Sequence, residues 1–458
     1  MQIVADLHLH SKYSRAVSPK MDLFEISRWA SKKGINLVAT GDWTHPIWFR
    51  EIKRNLKETA PGIFSLVETQ NLASLQNVKF LLSTEISSIY VQGGKQRRMH
   101  NLIFSPSLEV CEKIIQELQR RGANLMSDGR PIIGISSRDL LELVLTIDKN
   151  VFFIPCHVWT PWFSLYGSKS GFDSIEECFG KLSKDIYAVE TGLSSDPIMN
   201  WQIKELESRS IVSFSDAHSS PKLGREATVF VPNSKFHPPT GGPNSKFSYE
   251  DLVEAIKQDP NSKLKIAYTI EFFPEEGKYH WSGHRLCDVC YSPKEVKEKG
   301  KICPVCQRPL TIGVENRVID LAEEILTKDD LFFGENNAGA ALIYDKEKKR
   351  RPFVSLIPLF EILLEINNNS PTKALLEYER LTSDFATEFD ILLTKTYEEI
   401  EKIGGKKLAE GIRIVRERKV FVDPGYDGVF GKVKVFNDES QKTGHVQQKK
   451  IEKQPSLF

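Results

Sequence analysis

Along the first half of the chain, short apolar runs of strand length alternate with amphipathic stretches of helical period. QIVADLHLH, INLVATGDW, KFLLSTEIS, RMHNLIF, VFFIPCHVW, IYAVETGL and IVSFSDAHS read as buried strands, since near-continuous apolar runs suit a sheet covered on both faces. Between them, 21–33 (MDLFEISRWASKK) and 108–121 (LEVCEKIIQELQRR) carry apolar residues at helical spacing. Strand-then-helix repetition predicts a parallel sheet, and about seven units predict a closed or nearly closed barrel.

Further on, the Pro-, Gly-, Ser- and Asn-rich stretch 232–248 predicts an exposed loop. Residues 249–275 predict a helix and then a last strand (KLKIAYTIEFF) that closes the domain. From about 316 the pattern is mostly helical, with a strand-like ending at 429–436 (VFGKVKVF). The Lys/Gln-rich residues 437–458 predict a flexible tail. The expected division is 1–275, 276–313, 314–436 and the tail 437–458.

Composition changes little in this picture: 458 residues, 40% hydrophobic and 27% charged, are ordinary for a globular protein. Because 62 Lys and Arg nearly balance 61 Asp and Glu, any nucleic-acid binding has to come from local patches. No apolar run approaches the roughly 18 to 20 residues of a membrane span. MQIVADLHLH lacks the basic and apolar regions of a secretory signal, so the expected location is cytoplasmic, by the nucleoid if DNA is the partner. A monomer is the default expectation.

The polar residues of the strand-rich half share one position. Asp6, His8 and His10 end the first predicted strand, Asp42 and His45 follow the second, and Glu85 ends the third. His100 opens the fourth, His157 ends the fifth, Glu190 the sixth, and Asp216 and His218 the last. In α/β barrels that end of the strands carries the active site. Period-two alternation turns both imidazoles of HxH to one face. DxH at 216–218 adds one oxygen and one nitrogen donor, and a carboxylate such as Glu85 can bridge two ions. Mixed nitrogen and oxygen donors suit Zn²⁺, Mn²⁺ or Fe²⁺ better than Mg²⁺. One strand-end histidine is more often structural, but six of the ten in the chain stand in this array.

Four of the seven cysteines form two CxxC pairs, Cys287 with Cys290 and Cys303 with Cys306, and predict a four-cysteine ribbon around structural Zn²⁺. His280, Trp281, His284 and Arg285 precede it and either pack or face a nucleic acid. In IEKIGGKKLAEGIRIVRERK (400–419), a glycine-containing turn followed by a helix is similar to the second half of a helix-hairpin-helix. Lys402, Lys406, Lys407, Arg413 and Arg416 would supply a phosphate-binding patch there.

The motifs DLHLHS, STEIS, MHNL, IPCHVW and SFSDAHS together resemble the polymerase-and-histidinol-phosphatase (PHP) family. This resemblance implies a distorted (β/α)7 barrel with two or three divalent ions (Zn²⁺, Mg²⁺ or Mn²⁺). It also implies His8, His10, Glu85, His100, His157, Asp216 and His218 as ligands, with Asp216, His218 and Glu85 in the catalytic role. SKYSRA stands where the family often has a further histidine, and GDWTH replaces its usual Asp-His, leaving either Asp42 or His45 as a ligand. Both departures concern a third metal.

A PHP barrel, a cysteine ribbon and a helical basic region ending in PGYDGVFGKVKVF resemble the endonuclease Q family through about residue 436. That likeness implies a DNA repair enzyme cutting 5′ to hypoxanthine, uracil, xanthine and abasic sites. Recognising such a base takes it out of the stack, and Trp159, Trp162, Phe163 and Tyr166, following His157, are the expected lesion-side wall. The last five residues, QPSLF, are similar to the opening of a sliding-clamp motif, with Gln454, Leu457 and Phe458 as anchors. Two rival readings are a phosphatase for a small phosphomonoester and a non-catalytic adaptor.

Overall fold

A computed structural model describes residues 2–67, 78–233 and 247–436. The first strand, Ile3–Asp6, pairs in parallel with the second, Leu37–Ala39, which pairs in parallel with the third, Lys79–Gln92. The third turns back through a tight hairpin into the fourth, Lys95–Ser105, so this pair is antiparallel, as is the pairing of the fourth with the fifth, Phe152–Pro155. The sixth, Ala188–Glu190, lies beside the fifth, and Val158 N donates to Glu190 O across the gap. The sixth pairs in parallel with the seventh, Ser210–Val212. The ring closes beyond the strand ends, through the single bridge Leu9↔Ala217.

The expectation of an all-parallel sheet is thus corrected at the fourth strand. Gly93 and Gly94, both at positive φ, make the reversal that no helix intervenes to lengthen. The reversal explains the odd place of His100. A strand running backwards presents its early residues at the end where its neighbours present their last.

Helix Leu23–Lys33 shows how the barrel is clothed. Asp22 caps it by accepting from Phe24 N and Glu25 N, and Gly34 at φ 84° ends it. Its Leu23, Ile26, Trp29 and Ala30 enter the core, while Lys33 makes a buried 2.7 Å ion pair with Glu388 and Trp29 stacks on Tyr378. The C-terminal helices Leu359–Ile366, Pro371–Asp384, Glu388–Leu393 and Tyr397–Arg416 are therefore packed on the barrel through this helix.

The region read as mostly helical also contributes strands. Leu331–Glu335, Ala341–Asp345 and Phe353–Ser355 extend the barrel sheet, with Phe353–Ser355 running parallel to Leu264–Glu271. Leu264–Glu271 lies against Ala227–Pro232, which in turn lies against the first strand. These short, half-polar runs carry little periodicity, and their neighbours along the sheet are distant in sequence. The turn Gly425–Gly431 wraps the start of the ribbon: Gly425 N, Gly428 N and Gly431 N donate to the carbonyls of Glu275, Lys278 and Glu276. The QPSLF residues and most of 232–248 lie outside the described residues. Among the described residues no helix is long and apolar enough to cross a membrane.

Candidate metal centre

Six residues converge where the strands end. One group of donor atoms, all within 4.8 Å of one another, comes from His8, His10, Glu85 and Asp216, and a second from Glu85, His100 and His157. Glu85 belongs to both. Its Oε2 lies 3.1 Å from His10 Nε2 and 3.8 Å from His8 Nε2, and its Oε1 lies 2.6 Å from His100 Nδ1 and 3.2 Å from His157 Nε2. Asp216 Oδ1 stands 3.2 Å from His10 Nε2 and 3.7 Å from His8 Nε2. Metal bonds of about 2.1 Å set ligand–ligand edges of about 3.0–3.4 Å, so this spacing fits a shared cation.

The unmet hydrogen-bonding capacity says the same. His8 Nε2, His10 Nε2 and Asp216 Oδ1 are buried without a hydrogen-bond partner, an arrangement that costs several kcal/mol unless something else meets them. Their opposite ring nitrogens are fixed: His8 Nδ1 lies 2.9 Å from Glu190 and His10 Nδ1 lies 2.9 Å from Asp42. A carboxylate on Nδ1 takes the ring proton there and leaves Nε2 as a lone pair, the second layer typical of a metal-binding histidine.

Electrostatics favour a cation. Burial pushes His8 and His10 down, but Glu190 and Asp216 beside the first and Asp42 beside the second outweigh it and raise both. Burial lifts Glu85, yet the charges of His100 and Arg130 hold it well below the usual carboxylate range. Burial lifts Asp216 as well, and His8 and His10 hold it far lower. Burial also pushes His100 down to about 4, leaving a neutral ring whose nitrogen can be donated.

Backbone strain gathers in the same place. His157, Asp216 and Asp42 hold positive φ of 28°, 46° and 49°, conformations that non-glycine residues adopt at a cost of order 1–3 kcal/mol each. Gly192 makes the first possible, since a Cβ there would overlap the Cβ of His157.

The remaining candidates divide. Asp42 is outside both donor groups, because one oxygen serves His10 and the other accepts from Ser11 N, Ser11 Oγ and Ser14 Oγ. His45 is also outside them; it stacks on Tyr13 at 4.6 Å, and burial pushes its imidazole down. His218 Nδ1 lies 2.8 Å from the carbonyl of Asp216 and its ring packs edge-on to His10, without joining either group. Asp42, His45 and His218, the residues expected to extend the cluster, thus lie at its margin rather than inside either donor group. Arg130, which no motif announced, sits 3.0 Å from Glu85. Glu190, named only for its strand-end position, holds His8 and also accepts from His157 N.

The aromatic wall is corrected in part. Trp159 and Tyr166 are fully buried and stacked on each other, donating to Asn200 and Glu205. Trp162 and Phe163 keep exposed surface, Phe163 at φ 62° with its ring 4.7 Å from that of His100.

In the ribbon, the mutually close donors are His284, Cys287, Cys303 and Cys306, with His284 Nδ1 3.8 Å from Cys306 Sγ. His284 joins three of the four expected cysteines in this group, and Cys290 stands outside it. His284 ends the strand Ser282–His284, and a 3-10 turn, Arg285–Cys287, brings Cys287 back beside it. Histidine and thiolate donors in a tetrahedral set of this kind suit structural zinc. His280 and Trp281 are packing residues, with His280 Nδ1 3.2 Å from Ser194 O and Trp281 Nε1 donating to Glu315.

In the C-terminal region, Gly405 at φ 82°, ψ 168° breaks Tyr397–Arg416 into two helices, so the glycine turn lies where the sequence placed it. Lys402, Lys406, Lys407 and Arg413 are exposed around it. Arg416 is not: it is 1% exposed, and its guanidinium donates to the carbonyls of Leu392, Ile391, Lys395 and Ala338. It is withdrawn from the DNA-facing set.

No family model matches the chain. The uncharacterized protein MJ0043 of Methanocaldococcus jannaschii is 32% identical over 279 residues, 60% of this chain and 31% of that protein, so the chain spans under a third of its length. The uncharacterized protein YqxK of Bacillus subtilis is 26% identical, over 94% of this chain and 99% of YqxK. The structure of the lesion-specific endonuclease PfuEndoQ from Pyrococcus furiosus matches with a TM-score of 0.75 at 27% identity, over 95% of each chain. A structure of endonuclease Q with a 27-mer duplex substrate carrying an abasic lesion at the active site matches with a TM-score of 0.77 at 27% identity, over 97% of this chain and 100% of that one. The likeness runs through barrel, ribbon and C-terminal helices alike: over nearly its whole length the chain is similar to endonuclease Q.

Proposed function

We propose that this chain is a metal-dependent endonuclease that hydrolyses a phosphodiester bond of DNA beside a damaged nucleotide. The observation that carries this reading is the pair of donor groups sharing Glu85, on a fold whose relative binds an abasic-site duplex at its active site. The ligands are His8, His10, Glu85 and Asp216 on one side and Glu85, His100 and His157 on the other. When bound, a pair of divalent ions lowers the pKa of water toward about 7 and neutralises the phosphate oxygens.

The chain's own residues do the rest. Glu190 orients His8 and, through its bond from His157 N, the fifth-strand loop. Asp42 orients His10. Phe163 and Trp162 offer faces on which an unstacked base can rest. Lys402, Lys406 and Lys407 surround backbone N–H groups at a helix start, which suit a DNA phosphate. Deaminated bases join abasic sites in the proposed substrate range, with cleavage on the 5′ side, and Gln454, Leu457 and Phe458 are proposed to tether the enzyme to a sliding clamp.

The test uses labelled duplexes carrying one abasic site, deoxyinosine, deoxyuridine or normal base, with Mg²⁺, Mn²⁺ or Zn²⁺ and Asp216→Ala alongside. A single metal-dependent nick 5′ of the lesion, lost in the variant, is expected. Intact DNA throughout, with turnover of a small phosphomonoester, would replace this reading with that of a phosphatase.

A further inference from the structure

The segment Asp128–Pro131 is held from both sides more firmly than a surface loop requires. Asp128 is buried and accepts from Arg15 N and Arg130 N. Gly129 N donates to Tyr13 O, and a Cβ at Gly129 would overlap Ser14 Oγ and Asp42 Oδ2. Pro131 O accepts from Ser87 N, which precedes the short strand Ile132–Ile133 on the third barrel strand. The outcome is that the Arg130 guanidinium, 24% exposed, is aimed at the donor cluster, with Nη1 3.0 Å from Glu85 Oε2.

As a structural ion pair this arginine is poorly placed. Four histidines already lie within 4 Å of Glu85. A fixed positive charge beside two cation-binding groups opposes the cations it adjoins. The arrangement makes sense once an anion arrives. A guanidinium has five donors in a planar fork, so one arm can stay on Glu85 while another meets an oxyanion.

We propose that Arg130 is a catalytic residue that holds a non-bridging oxygen of the scissile phosphate, with the Asp128–Gly129 turn as the device that aims it. Its phosphodiester substrate rests on the function proposed above; its affinity for a phosphate oxyanion does not. In-line attack concentrates charge on the non-bridging oxygens, and a donor already in position stabilises that charge without reorganisation. Arginine does this better than lysine because two parallel N–H bonds fix both direction and distance.

The test begins with inorganic phosphate binding to the full-length manganese-loaded protein, measured by calorimetry, which does not depend on DNA being the substrate. Arg130→Ala is expected to weaken phosphate binding about tenfold or more, with metal content and thermal midpoint unchanged. Arg130→Lys is expected to recover only part of the loss. Arg15→Ala shares the Asp128 anchor but is turned to solvent at 72% exposure, and should bind phosphate within twofold of wild type. On an abasic duplex, Arg130→Ala should lower kcat by about 10²–10³, with partial rescue by added guanidinium ion. Equal phosphate binding in wild type and Arg130→Ala would overturn the proposal, as would a loss that excess metal restores. Failure of the wild type to nick DNA, with the phosphate difference intact, would instead sink the endonuclease reading alone.

Discussion

His10 Nδ1 lies 2.9 Å from Asp42 Oδ1, and this contact turns Nε2 of the same ring to Glu85 and Asp216 as the nitrogen that can be given to a metal. Asp42 would therefore act on a bound metal through His10. Asp42→Asn can present an N–H₂ to Nδ1 and push the ring proton toward the metal side. Metal affinity is expected to fall about 10–100-fold, while the number of ions bound at saturation stays the same. A titration followed by metal analysis separates this from the loss of stoichiometry that removing a direct ligand produces.

The ribbon gives a sharp contrast between two residues. His284→Ala should release zinc and lower the thermal midpoint of the ribbon, since metal binding supplies folding free energy in so small a unit. Lys294→Ala, on the helix beside the ribbon, should keep one zinc per chain. Zinc retained in His284→Ala would return that histidine to a packing role.

Two kinds of basic residue in the last long helix should also part company. Lys406→Ala with Lys407→Ala is expected to weaken DNA binding and to flatten its salt dependence by up to two phosphate contacts, with no change in stability. Arg416→Ala leaves four carbonyls short of a donor, those of Leu392 and Ile391 buried and those of Ala338 and Lys395 half-buried. Its expected effect is a destabilisation of about 3 kcal/mol or more, read by chemical denaturation.

Stability should also depend on pH through Glu271. Burial raises its carboxyl to about 8, Asp196 adds to the rise, and the hydroxyls of Ser213, Thr269 and Thr191 work against it. Glu226 beside it is likewise raised by burial and by Glu271 itself. A carboxyl whose folded pKa lies above its unfolded one binds its extra proton in the folded state. Its contribution is full below the ordinary carboxylate pKa and is lost as pH climbs toward about 8. Thermal midpoints from pH 5 to 9 should fall through this window, and Glu271→Gln should flatten the fall.

The strand-end placement of His8, His10, Glu85, His100, His157 and Asp216 was legible because chain periodicity fixes which residues leave a strand at its end. Other assignments depended on facts that spacing does not encode. Asp42 and Glu85 are both strand-end carboxylates, and only the serine hydroxyls gathered on Asp42 turn it into a support for His10. Trp159 and Tyr166 lie in the same motif as Phe163, and their burial follows from Asn200 and Glu205, which reach them from other segments. Arg130 belongs to no motif, since its direction is set by Gly129 and Asp128 pressing on the loop after the first strand.

The strands Leu331–Glu335, Ala341–Asp345 and Phe353–Ser355 continue the barrel sheet through Leu264–Glu271. A chain ending at the ribbon would leave the Leu264–Glu271 edge bare, with its row of unpaired backbone groups inviting another copy to add a strand. The barrel and the C-terminal region are thus expected to unfold together, and the barrel half is not expected to survive as a soluble fragment. Proteolysis between them should yield aggregation rather than a smaller active nuclease.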